Sequence, residues 1–294
     1  MRHPRRAPRN STLGMFVVSL GVAVPLALPA QRDSAIDRFI AEAKAGTRRY
    51  ASQEIAVADG FVRVGVEFPA MGEHWVNLGR VMEDSLVAAR PSVLIYVNMN
   101  GAPRLAGVAY TDLLAPGERP AARPAPLAWH EHNGAIDEES LPLGHHDRHT
   151  MAGASSDSLR LSILHAWVWI ANPSGTFVTD NWSLPAARFG ITADRTLTRE
   201  ALHALALGAD DERYYLLMLR TSLAMSAADE LAAERVIALH RSSVRATAAA
   251  LCGARILTSS QRDALASEWD AFWRDLQRTL PRHAAGLQTL RRQL

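Results

Sequence analysis

Histidine is the residue type in this chain with the most chemistry to offer, and its spacing is uneven. Of the 11 histidines, two fall in Trp129-His130-Glu131-His132-Asn133-Gly134 and three in Gly144-His145-His146-Asp147-Arg148-His149. On an extended segment, residues two apart point the same way, so His130 and His132 can offer two imidazoles to one ion. Neutral imidazole suits zinc, copper, iron or nickel. Two such histidines, joined by one or two from remote strands, make a three- or four-ligand site. Glu131, Asp137, Glu138, Glu139 and Asp147 add carboxylates that could ligate or orient. The competing description is a solvated polar loop in which histidines have accumulated. It is the simpler one for His145, His146 and His149, which are secondary metal candidates.

His74 and His165 differ from these. Each lies near tryptophan in a stretch of strand character, His74-Trp75 and His165-Ala-Trp167-Val-Trp169. A buried imidazole without a partner costs about 1–3 kcal/mol, so each needs a hydrogen bond, an ion or a ligand. His74, His130, His132 and His165 are therefore the candidate metal ligands, and Trp75, Trp129, Trp167 and Trp169 the candidate pocket walls. An open position on a bound ion would activate water or dioxygen, and no catalytic residue is assigned beyond that. His203, His240 and His283, on amphipathic helical stretches, read as structural. The chain has no Gly-x-Ser-x-Gly elbow, no phosphate-binding glycine loop and no His-Glu-x-x-His helix. With Cys252 as its one cysteine, thiolate-rich metal sites are excluded.

The elements that must position these residues follow from periodicity. Residues 33–58 predict a helix with Ile36, Phe39, Ile40 and Ala43 on one face and Gly46 as an interruption. Phe61–Phe68 predicts a strand, Pro69–Asn77 a loop or short strand, and Ser92–Val97 a strand. Asn98-Met-Asn100-Gly101 then predicts a tight hairpin returning through Arg104–Tyr110. Prolines 116, 120, 124 and 126 argue for a long excursion off the sheet over 111–160. Leu161–Ile170 reads as a central strand that closes it, with His165, Trp167 and Trp169 on one face. Beyond Phe177 the chain turns helical, with helices over Asp211–Met225, one opened by Ser226-Ala-Ala-Asp229 and a last one capped by Ser260-Gln-Arg-Asp263.

Arg2, Arg5, Arg6 and Arg9 precede the apolar run Leu13–Val24, and Leu28-Pro-Ala30 offers a cleavage site. Residues 1–30 are thus expected to be a signal peptide, with a retained membrane anchor as the alternative. Removing them leaves 28 basic and 30 acidic residues, so the pI near 9.0 is owed mostly to that segment. Lys44 is the single lysine and no arginine face carries interleaved aromatics, so no nucleic-acid partner is expected. An exported, periplasmic or secreted protein with no stable membrane insertion after cleavage is the expected result.

Four blocks recur in one order: Gly72-Glu-His-Trp-Val-Asn77, Pro91–Tyr96, Gly101–Tyr110, and His165-Ala-Trp-Val-Trp-Ile-Ala-Asn-Pro-Ser-Gly-Thr-Phe177. Over about residues 60–182 this set resembles a family of exported, mostly bacterial proteins of uncharacterised activity. The resemblance implies that His74 and His165 belong to a shared framework and that the loop histidines do not. Many members continue Trp-Asn-Pro where this chain has Asp180-Asn181-Trp182.

The expected fold is α+β: a small antiparallel sheet with an N-terminal helix and a helical C-terminal region. The expected organisation is a signal peptide over 1–30, an α+β domain over 31–190, and a helical region over 191–294. The expected function is binding of a divalent transition metal (zinc, copper or iron) or a small ligand at the His/Trp site. The alternative is a non-catalytic structural or partner-binding module in which these residues are core.

Overall fold

The computed structural model describes residues 28–83, 85–99, 101–120, 124–125, 127–132, 160–193, 196–253 and 256–294, with side chains from residue 35 onward except at 131 and 132. The apolar run Leu13–Val24, the acids at 137–139 and 147, and His145, His146 and His149 lie outside the described residues.

The protein is α+β. Helix α1 (Leu28–Thr47) leads through a 3-10 turn (Arg48–Ala51) to α2 (Gln53–Ala58). Among the described residues six antiparallel strands follow: β1 (Val62–Phe68), β2 (Gly72–Val76), β3 (Val93–Met99), β4 (Ala102–Leu114), β5 (His130–His132) and β6 (Arg160–Ala166), with α3 (Leu78–Met82) between β2 and β3. Their order in the sheet is β1-β2-β3-β4-β6-β5. Then come α4 (Ser183–Arg188), α5 (Arg199–Ala209), α6 (Tyr214–Ser222), α7 (Ala227–Ala250), α8 (Ser259–Thr279) and α9 (Ala284–Gln293).

The expected hairpin forms, β3 and β4 pairing up to Met99 and Ala102, with Gly101 at φ +80°, where a left-handed backbone suits glycine. The run expected over 33–58 is broken next to Gly46: α1 ends at Thr47, and the 3-10 turn separates it from α2. Gly46 itself lies inside the helix because the backbone of Ala89 passes there, and a Cβ would sit 2.2 Å from the Ala89 carbonyl oxygen. The excursion expected over 111–160 is shorter. β4 runs on to Leu114, and His130–His132 returns as a strand paired to β6. The closing strand is shorter too. β6 ends at Ala166, and the amides of Trp169 and Ile170 both turn to the Ala106 carbonyl. The last capping box uses Thr258 and Gln261 instead of Ser260 and Asp263, so the helix begins one residue before Ser260.

Directly opposed residues share a sheet face. One face carries Leu94, Tyr96, Val108, Tyr110, Leu164 and Ala166, and buries them with Tyr50, Phe61 and the Phe39, Ile40 and Ala43 stripe of α1. Two buried tyrosines anchor it, Tyr96 to the carbonyl of Tyr50 at 2.6 Å and Tyr110 to that of Ala88 at 2.7 Å. The opposite face carries Val76, Val93, Ile95 and Ala109 and meets Leu184 of α4. The C-terminal helices enclose a core of their own, built around Leu205, Met218, Val244, Trp269, Phe272 and Trp273. No helix among the described residues is long and apolar enough to cross a membrane.

Candidate functional site

Register places the histidines. Val64, His74, Ile95 and Gly107 lie opposite one another across β1 to β4, Val93, Ala109 and His165 form the next row, and Thr111, Ile163 and His130 the one after. All three histidines therefore face the same side, towards the helical region. His74 and His165 are three strand spacings apart, about 14 Å in a flat sheet. Their ring centroids are 5.5 Å apart, so the sheet curls towards this face. Between them the sheet offers only Gly107 and Ala109 beside Ile95 and Val93. At Gly107 a Cβ would come within 2.9 Å of the Ala166 oxygen and 3.1 Å of the Trp167 ring. Small residues thus make the space into which larger rings converge.

His165 is the middle ring, with His130 5.2 Å away on its other side and Trp167 at 6.3 Å. His165 is 1% exposed and His130 6%. The His165 Nδ1 lies 2.9 Å from the carbonyl oxygen of Thr179. A carbonyl only accepts, so Nδ1 carries the proton and Nε2 the lone pair. That is the tautomer a metal-binding imidazole takes when a backbone carbonyl orients it. The Thr179 hydroxyl lies 3.4 Å from the His130 Nδ1, and the Trp167 indole donates to the Val178 carbonyl at 2.6 Å. Residues 178–181 therefore cover the rings. Asn172 Nδ2 holds the Asp180 carbonyl at 2.7 Å, and the Asn181 amide donates to Ala70 at 2.8 Å. On the far side Phe68 packs on His74 at 6.0 Å and on Tyr214 at 5.7 Å. Burial, and then the Asp180 and Asp210 carboxylates, push the Tyr214 phenol above its ordinary value.

Of the four candidate ligands, His165 is brought against His74 on one side and His130 on the other, while the ligand atoms of these three do not all fall within 4.8 Å of one another. The backbone of His132 pairs with Leu161 in β5, and its side chain lies outside the described residues, as do His145, His146 and His149. Of the four tryptophans expected to wall the site, only Trp167 does so. Trp75 and Trp129 each adjoin a histidine in sequence, and strand alternation sends them to the opposite core with Tyr96 and Tyr110. Trp169 also lies there, its indole donating to Thr47 at 3.1 Å, because the chain leaves the strand after Ala166. Thr179, Asp180, Phe68 and Tyr214 join the site unannounced by the sequence.

Beside it stands a second polar group. Among the described residues, Glu67, Glu73 and Glu212 are the three side chains of metal-ligating type whose ligand atoms all lie within 4.8 Å of one another. Glu67 is 6% exposed, and burial lifts its carboxyl to about 7 against the pull of Arg188, which is 2.9 Å away.

Among the described residues, the other three histidines find partners within the helices, though the buried Nδ1 of His203 has none. His203 stacks on Trp269 and bonds to the Leu294 oxygen at 2.7 Å, His240 sits 3.1 Å from Asp275, and His283 meets Asp229 at 3.4 Å. No family model, no curated protein and no solved structure matches the chain.

Proposed function

We propose that the protein is an exported domain that binds a divalent transition metal, or a small ligand that coordinates or hydrogen-bonds in its place, through His74, His130 and His165. The observation that supports this is that His165 of β6 has His74 of β2 5.5 Å away on one side and His130 of β5 5.2 Å away on the other, although the ligand atoms of these three do not all lie within 4.8 Å of one another. Two imidazoles on one tetrahedral ion, with nitrogens about 2.1 Å from it, put ring centres about 5 Å apart. The His74–His165 and His165–His130 pairs stand at that spacing, so His165 could share an ion with either neighbour. Zinc, copper and iron all take imidazole nitrogen. The tautomer fixed on His165 by Thr179 leaves Nε2 to meet the ion. His132 and the histidines at 145, 146 and 149 are candidates to complete the set.

A second reading is favoured by the bonds to Thr179. His165 and His130 both reach that residue, and rings at 5–6 Å, one pair edge-to-face and one tilted, also make an ordinary packed core. The protein would then be a structural or partner-binding module. Metal analysis of tag-free protein recovered from an export compartment separates the two. About one equivalent of metal in the parent, and a tenth or less in His74→Ala and His165→Ala variants that keep the parent's circular dichroism, is the expected result. Metal-free parent protein that also takes up no zinc, copper or iron on addition would end the metal reading. A mature N-terminus at Gln31, read by mass spectrometry, tests the signal segment.

A further inference from the structure

The edge hairpin β1–β2 is tied to the helical region by charge. Glu67 receives Arg188 of α4 at 2.9 Å and the Asn98 amide of β3 at 3.4 Å, and its own amide donates to Glu212 at 2.9 Å. Glu212, in the turn before α6, also receives Arg63 of β1, which stands 3.6 Å from Glu73 of β2. Arg188 reaches on to Asp211 at 2.8 Å, and Asp211 to Arg245 of α7. At the centre, where the Glu67 side chain is buried, that of Arg188 nearly so, and those of Glu73, Glu212 and Arg63 partly so, three carboxylates face two guanidiniums, so one negative charge is uncompensated when all ionise. Asp211 and Arg245 are nearly half exposed, and water screens them.

From this geometry we infer that the group is a proton-operated latch: protonated Glu67 keeps the β1–β2 hairpin seated on α4 and the turn before α6, and ionised Glu67 loosens it. The inference does not depend on the metal reading. β1 is the edge strand, and its pairing with β2 breaks between Val64 and Phe68, where Gly65 takes φ +70°. Glu67 lies in that break. The hairpin also meets the helical side through the Phe68–Tyr214 contact, and its buried turn through the Asn181–Ala70 bond.

Linkage fixes the direction. The closed state holds the Glu67 proton up to about 7, whereas a loosened, hydrated Glu67 releases it near 4.5, so raising pH favours loosening. Hydrogen exchange of the full chain between pH 5 and 8.5, corrected for intrinsic rates, tests this alongside a carbon-13 titration of the Glu67 carboxyl. The amides of Glu67 and Phe68 are expected to lose tenfold or more of their protection relative to those of Leu94 and Val108 as pH rises, with about 300-fold as the ceiling. In Glu67→Gln that ratio stays constant with pH. The proposal is overturned if the Glu67 carboxyl titrates near 4.5, if the ratio in the parent does not change, or if Glu67→Gln follows the parent.

Discussion

At the scale of single residues, what decides the candidate site is which side of a strand a side chain takes. His74 and Trp75 are neighbours in sequence and belong to different cores, and so do Trp129 and His130. Strand alternation contained that separation, since neither tryptophan could wall a site its neighbouring histidine points into. The three histidines could be named from their types, while their meeting could not. It depends on the curl of the sheet and on Gly107 and Ala109, which carry no pattern of their own. Glu212 was out of reach as well, because its partners Arg63 and Glu67 are some 145 residues earlier in the chain. Tyr96 shows what one atom does here. Tyr96→Phe strands the buried Tyr50 carbonyl and is expected to cost about 1–3 kcal/mol in urea unfolding at pH 7. A loss under 0.5 kcal/mol would mean that water takes over the bond.

Elements with their own local signals were readable. The Asn-Gly hairpin, the Ser226/Asp229 box and the stripe of Leu265, Trp269, Phe272, Trp273 and Leu276 all formed as their spacing requires. β5 was not readable, since three residues paired to β6 leave no period to detect. Turn glycines separate two kinds of cost. Gly101 at φ +80° has nothing within 4 Å of its missing Cβ, so Gly101→Ala carries backbone strain alone, about 1 kcal/mol. Gly72 at φ +72° would place a Cβ 2.3 Å from the Tyr96 carbonyl oxygen, and that backbone cannot swing aside. Gly72→Ala is expected to cost on the order of 3 kcal/mol or more, since strain and collision add. Equal midpoints for the two variants in thermal unfolding would refute the comparison.

Across the whole molecule, two buried groups pull stability in opposite directions with pH. The Glu67 carboxyl is raised from 4.5 to about 7, mainly by burial, so its contribution is full below 4.5 and is lost as pH rises towards 7. The His203 imidazole is lowered from 6.5 to about 4, again mainly by burial, so its contribution is full above 6.5 and is lost as pH falls towards 4. Each is worth at most about 3 kcal/mol, and between 4.5 and 6.5 they oppose one another. Over that window Glu67→Gln should gain stability with rising pH relative to the parent, and His203→Gln should lose it. Urea unfolding at half-unit steps of pH reads both slopes, and parallel curves for parent and variants would reject the assignment.

The connection from β5 to β6, residues 133–159, enters and leaves the sheet at paired strand ends, His132 opposite Leu161. The entropy of closing such a connection grows only with the logarithm of its length, about 0.6 kcal/mol for each doubling. Exchanging it for a turn of four or five residues would therefore return only about 1.5 kcal/mol. Insertions there are nearly as cheap as deletions. On closure entropy alone, the paired ends at His132 and Leu161 place little constraint on how many residues join them.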